Sequence, residues 1–236
     1  MEHSPIGGIT IETIKTFWNG LDWSVLISLL LSVIPALLCI TFHELCHGFV
    51  AYKLGDNTAK NAGRLTLNPI KHIDIVGLIM MVVCRFGWAK PVPVNMYNFK
   101  NPKSGMAITA LAGPVSNVVL AAFVMLIYGF LYKPLYFMGQ TGQVLMETLT
   151  TTAYLSCAFA VFNLIPIPPL DGSKVVFSLL SEENYFKLMR YERYGMIILI
   201  VLVAFTNILT PILTIGASAL FNWLLHIAEW SFSLTI

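Results

Sequence analysis

The sequence predicts an all-α, polytopic membrane protein, and three observations carry that reading. Hydrophobic residues make up 57% of the 236 and charged residues only 11%, less than half the roughly 25% usual in a soluble domain. Mean hydropathy is +0.76. The charges are spaced so that residues 23–42, 104–132, 148–170 and 194–228 form uncharged runs, each reaching the roughly 20 residues that cross a bilayer. One membrane-embedded domain over residues 1–236 follows, with the lipid bilayer as its solvent.

Taken in order, the elements begin with Ile9, Ile14, Phe17, Trp18 and Leu21, which share a helical face and suit a short helix in the membrane interface. Glu2 and Glu12 stand where a signal peptide would carry basic residues, so no cleavable leader is predicted. Residues 23–42 predict the first span. Residues 63–99 fit neither a span nor an ordinary loop. GRLTLNP alternates polar and apolar, IVGLIMMVVC is too short to cross, and FGWAKPVPVN is rich in proline and β-formers. Strand-like or re-entrant backbone suits that pattern.

Residues 104–132 and 148–170 predict the second and third spans, the third ending at Pro166, Pro168 and Pro169, which cannot continue a helix. The last run is interrupted by Pro211 and Gly216. It predicts a fourth span and leaves room for a fifth that crosses, returns or lies in the interface.

Loop charge sets the expected orientation. Lys53, Lys60, Arg64, Lys71, Arg85, Lys90, Lys100 and Lys103 lie between the first two spans, and Lys174, Lys187, Arg190 and Arg193 follow the third; only Lys133 and Glu147 separate the second and third. The positive-inside rule places the two basic loops in the cytoplasm of a multi-pass cell-membrane protein. The formal net charge of +2 gives no basic field, which excludes nucleic acid as a partner. Cys39, Cys46, Cys84 and Cys157 form no C-x-x-C pair, so neither a disulfide framework nor a cysteine zinc knuckle is expected.

Ionisable side chains inside a span are costly and usually functional. Three occur together in ITFHELCHGF: His43, Glu44 and His47. On a helix the two histidines are one turn apart and share a face, so both imidazoles reach one tetrahedral ion, and Glu44 is left beside it within reach of a water. This is the H-E-x-x-H pattern of zinc hydrolases. A catalytic zinc takes three protein ligands, and the best third is Asp171 in FNLIPIPPLDG, because proline-broken backbone lets a short carboxylate project into the bundle. Its competing role is that of an N-cap for residues 172–180. His72 and His226 read as solvated or interfacial side chains, and Cys46 as packing.

These segments together, HELCH, GRLTLNPIKHID, FGWAKPVPVN, AGPVSN and NLIPIPPLDG, resemble the site-2 protease family of intramembrane zinc metalloproteases over roughly residues 35–175. The resemblance implies one zinc ion per chain held by His43, His47 and Asp171, Glu44 as the catalytic carboxylate, and Asn117 and Asn163 as residues that hold substrate backbone. It implies a membrane-spanning protein as substrate. Many members of the family carry a PDZ or nucleotide-sensing domain, and no stretch here is long and polar enough for either, so a minimal form is expected. Oligomeric state is not encoded in any motif.

Two other classes compete. A metal or proton transporter would also place His, Glu and Asp in a membrane, but its ionisable groups would form a string across the bilayer rather than cluster at one depth. A catalytically silent homologue would bind membrane segments without cutting them.

Overall fold

The computed structural model describes residues 23–77 and 89–235. Among them run helix α1 (Trp23–Lys53), the single turn α2 (Thr58–Asn61), α3 (Pro102–Phe137), α4 (Gln140–Leu164), α5 (Asp171–Ser178), α6 (Glu182–Phe205) and α7 (Leu209–Ser233). The interfacial helix expected around residues 9–21, and residues 78–88 in the middle of the strand-like segment, lie outside the described residues.

Among the described residues, four helical stretches are long and apolar enough to cross a membrane: Val33–Lys53 of α1, and all of α3, α4 and α7. Their ends follow from local sequence. α1 closes in a Schellman motif. Gly55 sits at φ +108°, Gly55 N–H donates to Tyr52 O at 3.1 Å, and Asp56 N–H to Ala51 O at 2.9 Å, so two otherwise orphaned carbonyls are satisfied. α3 opens on Asn101, whose side chain accepts from Ser104 N–H, with Pro102 just inside the helix, where a missing N–H costs nothing. α4 stops at Leu164, two residues before Pro166.

The last uncharged run divides differently from the sequence expectation. The break falls at residues 206–208, not at Pro211, which lies in the first turn of α7. That turn has no intrahelical acceptor for its N–H groups, so proline is tolerated there. α7 is thus the fourth span-length helix. The stretch before the break, Tyr194–Val203, is the apolar end of α6 and is shorter than a span.

Residues 63–99 carry, among the described residues, one antiparallel bridge, Ile73 to Ala89. Beside it Lys90 N–H donates to His72 O at 2.9 Å. The remainder is extended backbone with two short 3₁₀ turns, Pro69–His72 and Met96–Asn98.

α3 is the central helix. Leu120, Ala121, Val124 and Met125 meet Cys39 of α1, Ala153 and Cys157 of α4, and Ala217, Leu224 and Ala228 of α7 in one buried core. Small residues allow the close approach, as is usual where lipid offers no hydrophobic driving force between helices. Val115, Val119 and Phe123 of α3 are exposed on the other face, which suits contact with acyl chains.

Beyond α1, the fully buried Asp56 ties three pieces of chain together. It accepts from Asn95 N–H at 2.7 Å, from Asn98 Nδ2 at 2.7 Å and from Thr58 N–H at 3.0 Å. Burial alone would raise its pKa. The donors of Thr58, Asn98 and Asn95 outweigh that and hold the carboxyl below its ordinary value. A depressed folded pKa gives stability that is complete above the unfolded value near ~3.9 and is lost as pH falls through the folded one. Asp56→Asn should therefore destabilise the fold near neutral pH by roughly 1.5–3 kcal/mol per weakened charged hydrogen bond. It should also flatten the acid limb of the stability curve, read by thermal unfolding in detergent between about pH 5 and pH 2. Unchanged stability at neutral pH would refute the anchoring role.

Candidate metal centre

α1 runs unbroken through HELCH to Lys53, so His43 and His47 fall on one face, as 3.6-residue periodicity requires. Their rings stand edge to face with centroids 4.5 Å apart. The Pro-rich stretch after α4 brings Asp171, the first residue of α5, back to that face. Its side chain is directed at the histidines and does not cap the helix. Asp171 Oδ2 lies 3.1 Å from His43 Nε2 and 3.0 Å from His47 Nε2, and the two Nε2 atoms are 2.9 Å apart. All three side chains are buried, and their ligand atoms lie within 4.8 Å of one another.

The chemistry of this donor set fits a divalent cation. His47 Nδ1 lies 2.7 Å from Thr109 O, a carbonyl that can only accept, so Nδ1 carries the proton and Nε2 presents a lone pair. That lone pair faces a second imidazole nitrogen and a carboxylate oxygen. An electron-rich trio in a buried place calls for a cation. Bonds of ~2.0–2.1 Å to a tetrahedral zinc set neighbouring ligand atoms about 3.3 Å apart, within a few tenths of an ångström of the separations found.

Asp171 is also supported electrostatically. Lys174, one turn further along α5, sits 3.8 Å from Asp171 Oδ1 and 3.5 Å from Glu192 Oε1 on α6.

α3 closes the other side of the centre. Gly113 faces the two imidazoles directly: a Cβ there would lie 2.5 Å from His43 Cε1 and His47 Cε1, and closer still to His47 Nε2. In sequence the AGP element reads as a small-residue helix contact, and the surface it contacts is the His pair. Asn117, one turn on, is fully buried. Its amide lies 3.3 Å from His43 Nδ1, while its backbone carbonyl accepts from Ser156 Oγ at 2.9 Å.

Glu44 is half-buried beside the trio, and its Oε2 accepts from Val92 N–H at 2.8 Å. It lies where two cavities meet. One, of about 420 Å³, contains His47, Asp171 and Lys174. The other, of about 320 Å³, extends between α1, α4 and α6. His43, Glu44, Asn163 and Pro169 border both. Asn163 is half-buried, with Nδ2 donating to Phe159 O at 3.0 Å. Asn117 borders neither cavity.

Some of this was not legible in the sequence. Thr109 enters through its main chain, which side-chain identity does not mark. Lys174 was readable in principle, because i+3 from Asp171 places it on the same helical face. His72 differs from the expected solvated side chain: it is 1% exposed, with Nε2 2.9 Å from Thr66 O. His226 is exposed and pairs with Glu229 at 3.0 Å.

The comparisons with known proteins agree with this centre. The sequence profile of Peptidase family M50 matches residues 31–209. YwhC of Bacillus subtilis (strain 168) is 39% identical over 193 residues, covering 80% of this chain and 88% of that protein. MJ0611 of Methanocaldococcus jannaschii is 32% identical, covering 71% of this chain and 80% of that protein. Rip2 of Mycolicibacterium smegmatis is 28% identical, covering 83% and 70%. All three have "zinc metalloprotease" in their names. No solved structure matches the chain significantly. With about three quarters of its length inside one family profile, four span-length helices among the described residues and a buried His-His-Asp cluster, the chain belongs to Peptidase family M50, the site-2 proteases, and is a zinc metalloprotease built as a multi-pass integral membrane protein.

Proposed function

We propose that this protein hydrolyses a peptide bond within or near a transmembrane segment of a membrane-protein substrate, as one membrane-embedded domain with its active site toward the cytoplasmic side of the cell membrane. The observation that carries the reading is the convergence of His43, His47 and Asp171 beside Glu44, within a helix of membrane-crossing length.

In this reading His43 Nε2, His47 Nε2 and Asp171 Oδ2 hold zinc. When bound, zinc supplies a Lewis acid that stabilises charge on the carbonyl oxygen and makes water acidic enough to deprotonate near neutral pH. Glu44 takes the water proton on its carboxylate and returns it to the leaving amine. Val92 N–H fixes the direction of that carboxylate, which limits the rotamers Glu44 can adopt and favours a productive one. Asn163, at the junction of the two cavities, offers its side-chain oxygen to substrate backbone. Asn117 is sealed from both cavities and acts through His43. Metal ligands of this kind are oriented by the partner of their second ring nitrogen, and His47 has the same arrangement with Thr109.

A helical substrate hides its amides in internal hydrogen bonds, so the segment unwinds before it is cut. The extended stretch around Val92 lies beside the centre and gives an unwound segment backbone to pair with.

The test uses purified protein in bilayers with single-span peptides as substrates. Hydrolysis should vanish on chelation and return with stoichiometric zinc. Asp171→Asn should lower zinc affinity by more than the roughly 10–100-fold that loss of an outer partner costs, because an ionised ligand becomes neutral. Metal content and hydrolysis both surviving that change would remove Asp171 from the site.

A further inference from the structure

We infer that the apolar chamber beside Glu44 is a specificity pocket, which seats a large aliphatic or aromatic side chain of the substrate within a few residues of the bond that is cut. This deepens the metalloprotease reading and depends on it, by naming what the same site selects.

The first argument is continuity. The chamber shares His43, Glu44, Asn163 and Pro169 with the cavity that contains Asp171 and Lys174, so a chain lying over Glu44 has access to both. The second is size and lining. At about 320 Å³ it is roughly twice the ~150 Å³ cavity that takes up a benzene molecule. Its wall is contributed by Ala36 and Ile40 of α1, Phe159 and Phe162 of α4, and Leu199 of α6.

The third argument separates a peptide from a lipid chain as occupant. Glu44 and Asn163 border the chamber, and in the metalloprotease reading both meet substrate main chain. An acyl chain has no group to pair with either, whereas an unwound peptide brings N–H and C=O groups.

Reach fixes the register. Ala36 precedes Glu44 by two helical turns, about 12 Å at 1.5 Å per residue. An extended chain advances ~3.3 Å per residue, so the seated side chain belongs within three or four residues of the scissile bond.

The experiment measures kcat/KM of the zinc-loaded protein on single-span peptides that differ only by Phe or Ala at each of four positions on either side of the cut. At one position Phe should be preferred by at least roughly 10–200-fold, the range that a single buried methylene gives. Ala36→Phe, which fills the chamber from α1, should lower kcat/KM for the Phe peptide at least tenfold more than for the Ala peptide. Ile40→Ala, which enlarges the chamber, should move the preference toward Trp. A benzophenone side chain at the selected position should crosslink to α1 or α4 in the Glu44→Gln protein, a readout independent of turnover.

Peptides cut with no preference at any position would overturn the pocket while leaving the protease reading intact. Equal losses on both peptides in Ala36→Phe, at full zinc content, would do the same, as would rates that follow lipid chain length and not peptide sequence. No cleavage of any peptide by the zinc-loaded parent would instead strike the protease reading itself.

Discussion

Gly113→Ala should abolish zinc retention and hydrolysis while leaving the helical fold in place. The added Cβ would lie 2.5 Å from ring carbons of both His43 and His47 and nearer still to His47 Nε2. No contact that short is tolerated, so either the rings swing away or α3 retreats. The rings are the softer element, since α3 is fixed along its length by the buried core around Leu120, Val124 and Met125. Rotation of either ring takes its Nε2 from the point shared with Asp171 Oδ2, and rotation of His47 also breaks its bond to Thr109 O. Zinc affinity should fall by more than roughly 100-fold, beyond the loss expected for an outer partner. Far-UV circular dichroism should be unchanged. Metal analysis of the purified variant is the direct check. A full complement of zinc would mean that α3 does not press on the imidazoles.

Glu44→Gln should separate binding from chemistry. The side chain keeps its shape and its oxygen can still accept from Val92 N–H, which is 2.8 Å from Glu44 Oε2, but an amide cannot accept the water proton. Loss of a general base costs roughly 10²–10⁴-fold, and zinc content should stay at one ion per chain because Glu44 is not among the three converging residues. Rate and metal are measured on the same preparation. A variant that cuts at the parental rate would assign the base to another residue, and one that loses its zinc would make Glu44 a ligand. The retained-metal, no-turnover form is also the one suited to trapping a substrate for crosslinking.

Much of the centre was legible because its chemistry is local. His43, Glu44 and His47 are fixed relative to each other by helical periodicity alone, and an unbroken α1 is what the apolar run specifies. Asp171 was a less local inference: the prolines said that the chain unwinds there, and the need for a third ligand said which carboxylate was wanted. The division of the last apolar run was misjudged at Pro211, because proline in a first turn breaks nothing, and the actual break at residues 206–208 carries no proline or glycine to announce it.

By itself, then, the sequence determined the solvent, the span-length helices and the His-Glu-His face, since each depends on composition or on spacing within one segment. Only the tertiary structure decided that Gly113 presses on the imidazoles, that Asn117 lies beneath His43 away from both cavities, that a main-chain carbonyl of Thr109 orients His47, and that Val92 holds Glu44. These are contacts between segments far apart in the chain. All but the Asn117–His43 contact rest on backbone atoms or on the absence of a side chain, and no residue letter records where two helices cross.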